Sequence, residues 1–291
     1  MMEIPSQEGR IILITGASAG IGRVTAQQLA EAGAHLFLAC RSQEKTLRVI
    51  EEIKQSCREK GRPNEQIEFL PLDLASLESV RACAAEFLAR DLPLHVLINN
   101  AGIGGIRGLT KDGFEMHFGV NHLGHFLLTL LLVERLKASA PARVVTLSSK
   151  LHYKTKALDF DILKRSTKTV SGMPEYGVSK LANALFSAEL ARRLDGSGVH
   201  AYAVHPGIVA SDIWRRIPRP FSSIAKLFMI SEEEGARTSL YCATSEQVAD
   251  DSGLYYDSSK ARYPSRLAQD TTLAEQLWEK SEAWTGIEFL G

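Results

Sequence analysis

Apolar residues fall along this chain in two alternating patterns. Short runs rich in Val, Ile, Leu or aromatics occupy residues 10–15, 35–39, 67–72, 95–98, 143–147, 200–204 and 253–256. Runs of that length and composition predict seven strands buried on both faces. Between them, residues 21–32, 43–60, 77–90, 113–137 and 175–194 carry apolar side chains at helical spacing. Ser76 stands as the N-cap of the third helix, and Gly33, Gly61 and Gly196 stand where helices stop. Strand and helix in strict alternation build a parallel sheet covered on both sides. The expectation is therefore one doubly wound α/β domain over residues 1–291, with about seven parallel strands.

Two stretches break the rhythm. Residues 150–174 lack clear periodicity and read as an extended surface connection that helps line a site. Residues 212–230 form a long, Pro-punctuated apolar and basic insertion, read as a substrate lid. The most apolar run, residues 126–133, is far shorter than the roughly 20 residues a membrane-spanning helix needs, so it reads as a buried helix. A short polar leader precedes the first strand, with no secretory pattern. An anchor preceding Met1 would leave that reading unchanged.

Composition narrows the classes. With 45% hydrophobic and 23% charged residues, the 291-residue chain has material for a sizeable core, which excludes intrinsic disorder. Thirty-four basic residues balance thirty-four acidic ones, so no charge excess recommends a nucleic-acid partner. Cys40, Cys57, Cys83 and Cys242 are scattered without a C-x-x-C pair, which fits a reducing, cytoplasmic compartment. His117, His122 and His125 lack the H-E-x-x-H pattern of a zinc site and read as packing or hydrogen-bonding residues.

Candidate chemistry begins at Thr15-Gly-Ala-Ser-Ala-Gly-Ile-Gly22, which follows the first strand and opens the first helix. Glycines there turn tightly and present backbone N–H groups to a pyrophosphate. Gly16 makes the turn, Gly20 admits the ligand and Gly22 lets helix and strand pack, with Ser18, Ala19 and Ile21 completing the cradle. The spacing departs from G-x-G-x-x-G, and a glycine-rich turn without a ligand is the alternative. The second strand ends in Arg41, where NAD-binding chains place an acid for the ribose 2′-hydroxyl. A guanidinium there favours a 2′-phosphate, so NADP(H) is expected over NAD, against the alternative of a solvated arginine. Asp73, beside Leu74, either accepts from the adenine amino group or caps the helix near Ser76. Asn100, Ala101 and Gly102 back the ribose, while Asn99 reads as largely structural.

Tyr176 and Lys180 lie four residues apart in a helical pattern, close enough for the ammonium to lower the phenol's pKa. Tyr256 and Lys260 share the spacing, but their Asp-Ser-Ser linker is turn-like and the match is discarded as chance. The fifth strand ends in Ser149, at the sheet edge where ligands of open α/β folds bind. Asn121 is a polar side chain among apolar ones that needs partners, a water or Lys180.

The segments TGASAGIG, NNAG, VNHLGHF, VVTLSS, YGVSK and HPGIV, in that order, resemble the short-chain dehydrogenase/reductase superfamily, a Rossmann fold. LACRS, LHVLINNAG, GVNHLGHFLLT, APARVV and SKLANALF are similar to the retinol dehydrogenases of the eleven-to-fourteen group. The resemblance implies Tyr176 as acid/base and Lys180 as its pKa-lowering, ribose-binding partner. It further implies Ser149 as donor to the carbonyl oxygen and Asn121 as holder of a relay water. Pro206, Gly207, Ile208 and Val209, with Ser211 beyond, then border the nicotinamide. This chain starts almost at its first strand, whereas members of that group typically carry an apolar N-terminal anchor, which puts retinoid as the physiological substrate in doubt.

The expected reaction is NADP(H)-dependent interconversion of lipophilic aldehydes or ketones with alcohols. Ile213, Trp214, Ile217, Phe221 and Phe228 of the lid supply the apolar surface for such a substrate. Arg215, Arg216 and Arg219 read as a solvated face or as a peripheral membrane contact. The rivals are a dinucleotide-sensing regulator or a scaffold without chemistry, and the intact Ser149, Tyr176 and Lys180 argue against both. Surplus apolar surface on helices 113–137 and 175–194 points to a homodimer or homotetramer contact.

Overall fold

The computed structural model describes residues 4–207 and 230–289. The lid at 212–230, except Ile230, together with Ile208, Val209 and Ser211, lies outside the described residues. All seven expected strands form: β1 Ile11–Thr15, β2 His35–Cys40, β3 Ile67–Pro71, β4 Val96–Asn99, β5 Ala142–Leu147, β6 Val199–His205 and β7 Tyr255–Asp257. They are parallel, in the order β3-β2-β1-β4-β5-β6-β7. Every residue of β1 and β5 is buried, because helices cover both faces. Side chains alternate accordingly: Leu13 and Val144 enter one core with Phe126 and Phe186, while Ile12, Ile14 and Val145 enter the other with Tyr202 and Leu240.

An eighth strand, β8 Lys260–Arg262, was not expected. It pairs antiparallel with β7 at the sheet edge, and all three of its residues are exposed, so it carries no apolar pattern to read. Its turn, Ser258 and Ser259, sits at φ of 55° and 56°, the left-handed pair that a two-residue hairpin requires. Tyr256 and Lys260 therefore stand on two strands of a hairpin, as the discarded match implied.

The helices are α1 Gly20–Glu31, α2 Gln43–Glu59, α3 Leu77–Leu88, α4 Met116–Ala138, α5 Met173–Arg193, α6 Glu232–Thr244 and α7 Thr271–Thr285. Helix α4 is long and apolar enough to cross a bilayer, yet 89% of its most apolar window is buried inside the domain, which makes it a core helix. Helix α7 packs against α5, and its Trp278 reaches α4 as well. Trp278 sits with its ring 5.1 Å from Phe126 of α4 and 5.9 Å from Phe186 of α5.

Residues 150–174 are more anchored than a surface connection. They form two 3-10 turns, Lys150–Lys154 and Phe160–Lys164, with Leu158, Leu163 and Thr167 buried. Buried Glu115 moors them. Its N–H donates to the Leu163 carbonyl (2.8 Å), and its carboxylate accepts from the Phe118 N–H (2.9 Å) and the Thr167 hydroxyl while meeting His117 Nδ1 at 2.8 Å.

Strand order reverses between β1 and β4, opening a crevice at the carboxyl ends of these strands.

Candidate active site

At this crevice the glycine loop meets the turn after β4. Helices α2, α3, α6 and α7 are capped by Ser42, Ser76, Ser231 and Asp270, whereas α1 has Ala19 at its N-cap and no side-chain acceptor. Its first N–H groups are thus left for an external anion. Gly16, at φ +70°, turns the chain. A Cβ on Gly22 would lie 2.4 Å from Asn100 Nδ2 and 2.5 Å from the Gly16 carbonyl, so this glycine is required for close packing. Ala19 is exposed, and Ser18, Gly20 and Ile21 are half-buried along the rim.

Arg41 is exposed immediately after β2, with no partner among the described residues, and the nearby Glu44 is engaged by Arg48. Asp73 accepts from the Ala75 N–H (3.1 Å), while Ser76 caps α3, which removes capping as the role of Asp73. Leu74 is buried, its side chain near Gly124 of α4, so its backbone is what remains for a ligand. Asn100 Nδ2 donates to the Thr15 carbonyl (2.8 Å), bracing the glycine turn from behind, and Asn99 is buried with Nδ2 donating to Thr129 and Thr146. Pro206 and Gly207 follow β6 half-buried, with Ile230 against Gly207. An uncapped helix end, an unpaired guanidinium and a braced glycine turn fit a dinucleotide.

The second cluster is built around a defect in α4. Residues Gly119–Leu123 form a π-turn, closed by the Gly124 N–H to the Gly119 carbonyl, and Asn121 sits within it. Asn121 Oδ1 accepts from the Ile103 N–H (2.8 Å), and Nδ2 donates to the Ile103 carbonyl (3.0 Å) and Ser179 Oγ (2.9 Å). This side chain is a brace, leaving its main-chain carbonyl for other partners. Tyr176 and Lys180 share the inward face of α5, with Lys180 Nζ 5.6 Å from the Tyr176 ring centroid. Lys180 Nζ donates to the Leu147 carbonyl at the end of β5 (2.8 Å). Ser149 follows β5, and its Oγ accepts from the Leu151 N–H (3.3 Å).

Burial dominates both titrations. The Tyr176 phenol is pushed up to about 12 by desolvation, which the Ser149 hydroxyl only partly offsets. Desolvation pushes Lys180 down to about 7. Both groups are buried, and the ammonium is directed at a backbone carbonyl.

Several bracing residues were given no role by the sequence. Ser179 donates to the Tyr176 carbonyl (2.8 Å) while accepting from Asn121. Ser148 Oγ donates to the Lys180 carbonyl (2.7 Å), and Asn183 Nδ2 to the Leu147 carbonyl (2.9 Å). His152 Nδ1 lies 2.6 Å from the Ser149 carbonyl, while its Nε2 accepts from the Ser265 N–H (3.0 Å). The helical offsets of Ser179 and Asn183 from Tyr176 are the signal that would have placed them on its face. His152 becomes legible only once residue 265 is known to pass nearby.

The short chain dehydrogenase family profile matches residues 10–159. Retinol dehydrogenase 12 of Mus musculus is 46% identical over 288 residues, covering 97% of this chain and 88% of that protein. Retinol dehydrogenase 11 of Homo sapiens is 44% identical, covering 94% and 85% respectively. Among solved structures, an uncharacterised protein from Mycobacterium Paratuberculosis superposes with TM-score 0.78 at 35% identity, covering 99% of this chain and 97% of that one. The RhlG/NADP active-site complex of Pseudomonas aeruginosa gives 0.70 at 26%, covering 88% and 96%. The chain thus belongs to the short-chain dehydrogenase family of NAD(P)-dependent oxidoreductases, in the group resembling retinol dehydrogenases 11–14.

Proposed function

We propose that this protein is an NADP(H)-dependent oxidoreductase that interconverts lipophilic aldehydes or ketones with their alcohols. The observation that carries this reading is the pairing of buried Tyr176 and Lys180, with half-buried Ser149 at the end of β5, beside the crevice that fits a dinucleotide. The bound nucleotide supplies hydride for carbonyl reduction and accepts it for alcohol oxidation. In reduction, Tyr176 delivers its phenolic proton to the oxygen on which charge develops, and Ser149 donates a hydrogen bond to the same oxygen. Lys180 binds the nicotinamide ribose and passes a proton back to Tyr176, with Asn121 holding the relay water. Gly16, Ser18, Ala19, Gly20, Ile21 and Gly22 receive the pyrophosphate, and Arg41 pairs with the 2′-phosphate. Asp73 and Leu74 border the adenine, Asn100, Ala101 and Gly102 the ribose, and Pro206, Gly207, Val209 and Ser211 the nicotinamide.

The unpaired Arg41, with no carboxylate at the end of β2, supports NADP(H). The apolar content of residues 212–230 and the names of the retinol dehydrogenase relatives support a hydrophobic substrate. The test is loss of reduced-nucleotide absorbance with retinal, steroid, aliphatic and aromatic carbonyls, run with NADPH and NADH. The expected result is turnover of the larger apolar carbonyls with NADPH preferred. Nucleotide binding without turnover of any carbonyl would instead favour the sensing reading.

A further inference from the structure

His125 is fully buried in α4, one turn beyond Asn121, and the proposed reaction does not use it. Its two ring nitrogens nevertheless join the two halves of the site. Nδ1 lies 3.0 Å from the Asn121 carbonyl oxygen, and Nε2 lies 2.8 Å from the Thr15 hydroxyl. Thr15 in turn is the hub of the dinucleotide turn, its Oγ1 accepting from the N–H groups of Asn100 (3.0 Å) and Ala101 (2.9 Å).

Proton directions in this chain follow from its ends. A carbonyl oxygen only accepts, so Nδ1 carries the ring proton. Burial lowers the His125 pKa to about 4, so the ring is neutral near pH 7 and Nε2 is a bare acceptor. Thr15 receives two backbone N–H groups on its oxygen, and its own proton then points to Nε2. The Ile98 carbonyl is the other acceptor at hand, at 3.5 Å. Backbone N–H of the β4 turn, hydroxyl, imidazole and carbonyl thus form one polarised series. Each group has one role open to it, which makes the series rigid.

The far end of the series is the π-turn, where backbone pairing shifts by one residue, so a helical ladder alone does not dictate how that carbonyl is held. The near end is the turn that rests on the glycine loop through Asn100. We propose that His125 is a positioning residue that couples the dinucleotide turn to the Asn121 carbonyl, so that a seated nucleotide stiffens the π-turn beside Lys180. This rests on the reading of the site as dinucleotide-dependent.

The test uses the full chain, NADPH and two variants. H125F keeps the ring volume and loses both hydrogen bonds; H125Q keeps an amide that can accept from Thr15. Hydrogen exchange of residues 116–126 is followed with and without NADPH, alongside kcat, KM and nucleotide Kd. In the wild type, NADPH slows exchange at the π-turn. In H125F, Kd stays within about threefold, the slowing disappears and kcat falls about tenfold with carbonyl KM unchanged, the signature of an interaction that matters in the transition state alone. H125Q recovers at least half of both readouts. The T15V and H125F losses in kcat overlap when the two are combined, as expected for members of one network. Wild-type exchange and kcat in H125F would overturn the coupling, as would a loss that merely tracks weaker nucleotide binding or global destabilisation. If H125F does not fold, failure of H125Q to recover either readout overturns it too. A wild type that binds NADPH without turnover refutes the enzyme reading, while the exchange result still decides the coupling.

Discussion

Arg41 and Tyr176 make opposite demands on the surrounding chain. Arg41 has no partner among the described residues, and on the proposed 2′-phosphate role Arg41→Ala should raise KM for NADPH about tenfold while leaving NADH nearly unchanged, since a charge-assisted contact would be removed. Steady-state kinetics with both nucleotides check this; equal losses for the two would refute the 2′-phosphate role. Tyr176 is held as a neutral phenol, its pKa pushed up to about 12. Carbonyl reduction needs that proton, whereas alcohol oxidation needs the phenolate, so oxidation should climb with pH well above neutral while reduction does not. The spacing of Tyr176 and Lys180 was legible because residues four apart share a helix face. The direction of the phenol's shift was not, because desolvation depends on how β5, α4 and α5 close around it.

At the scale of elements, buried strands declare themselves as short apolar runs, which is why β1, β2, β4, β5 and β6 were readable, and the apolar residues of the less buried β3 and β7 sufficed for the rest. β8 was not: Lys260, Ala261 and Arg262 are all exposed, and only the turn and the pairing with β7 make them a strand. Ser258 and Ser259 hold that turn in the left-handed region, and the Ser259 hydroxyl is buried without a partner among the described residues. Ser258→Asn with Ser259→Gly suits the turn and removes the orphaned hydroxyl, so it should stabilise the chain by about 1 kcal/mol. A thermal melt would show this as a higher Tm, and a lower one would contradict the hairpin geometry. The π-turn in α4 was equally hidden, because residues 117–130 of this helix are buried all round and leave no one-sided apolar stripe for an inserted residue to shift. Residues 150–174 looked like an open connection for a related reason: Glu115, which moors them, lies far away in sequence.

For the molecule as a whole, imidazoles buried in the neutral form set a limit on acid. Burial lowers His122 to about 3, and His125 and His205 to about 4, against about 6.5 when unfolded. The unfolded chain therefore binds more protons below pH 6.5, so the stabilisation is complete above that pH and is lost as pH falls toward the folded values. Each group contributes up to about 1.4 kcal/mol per pH unit in that window. Urea midpoints should drop steeply between about pH 6.5 and pH 4.5; a flat profile would mean these rings are not held neutral. Trp278 is buried against Phe126 of α4 and Phe186 of α5, and Trp278→Ala should cost about 3–5 kcal/mol by denaturant titration.

All of this architecture converges on one phenol, and the most direct test is Tyr176→Phe. The variant should bind NADPH with Kd within about threefold of wild type, because the ring and its packing remain. In a single-turnover assay with an accepted carbonyl, it should transfer hydride at least about a hundredfold more slowly. Near-wild-type transfer by this variant would contradict the account.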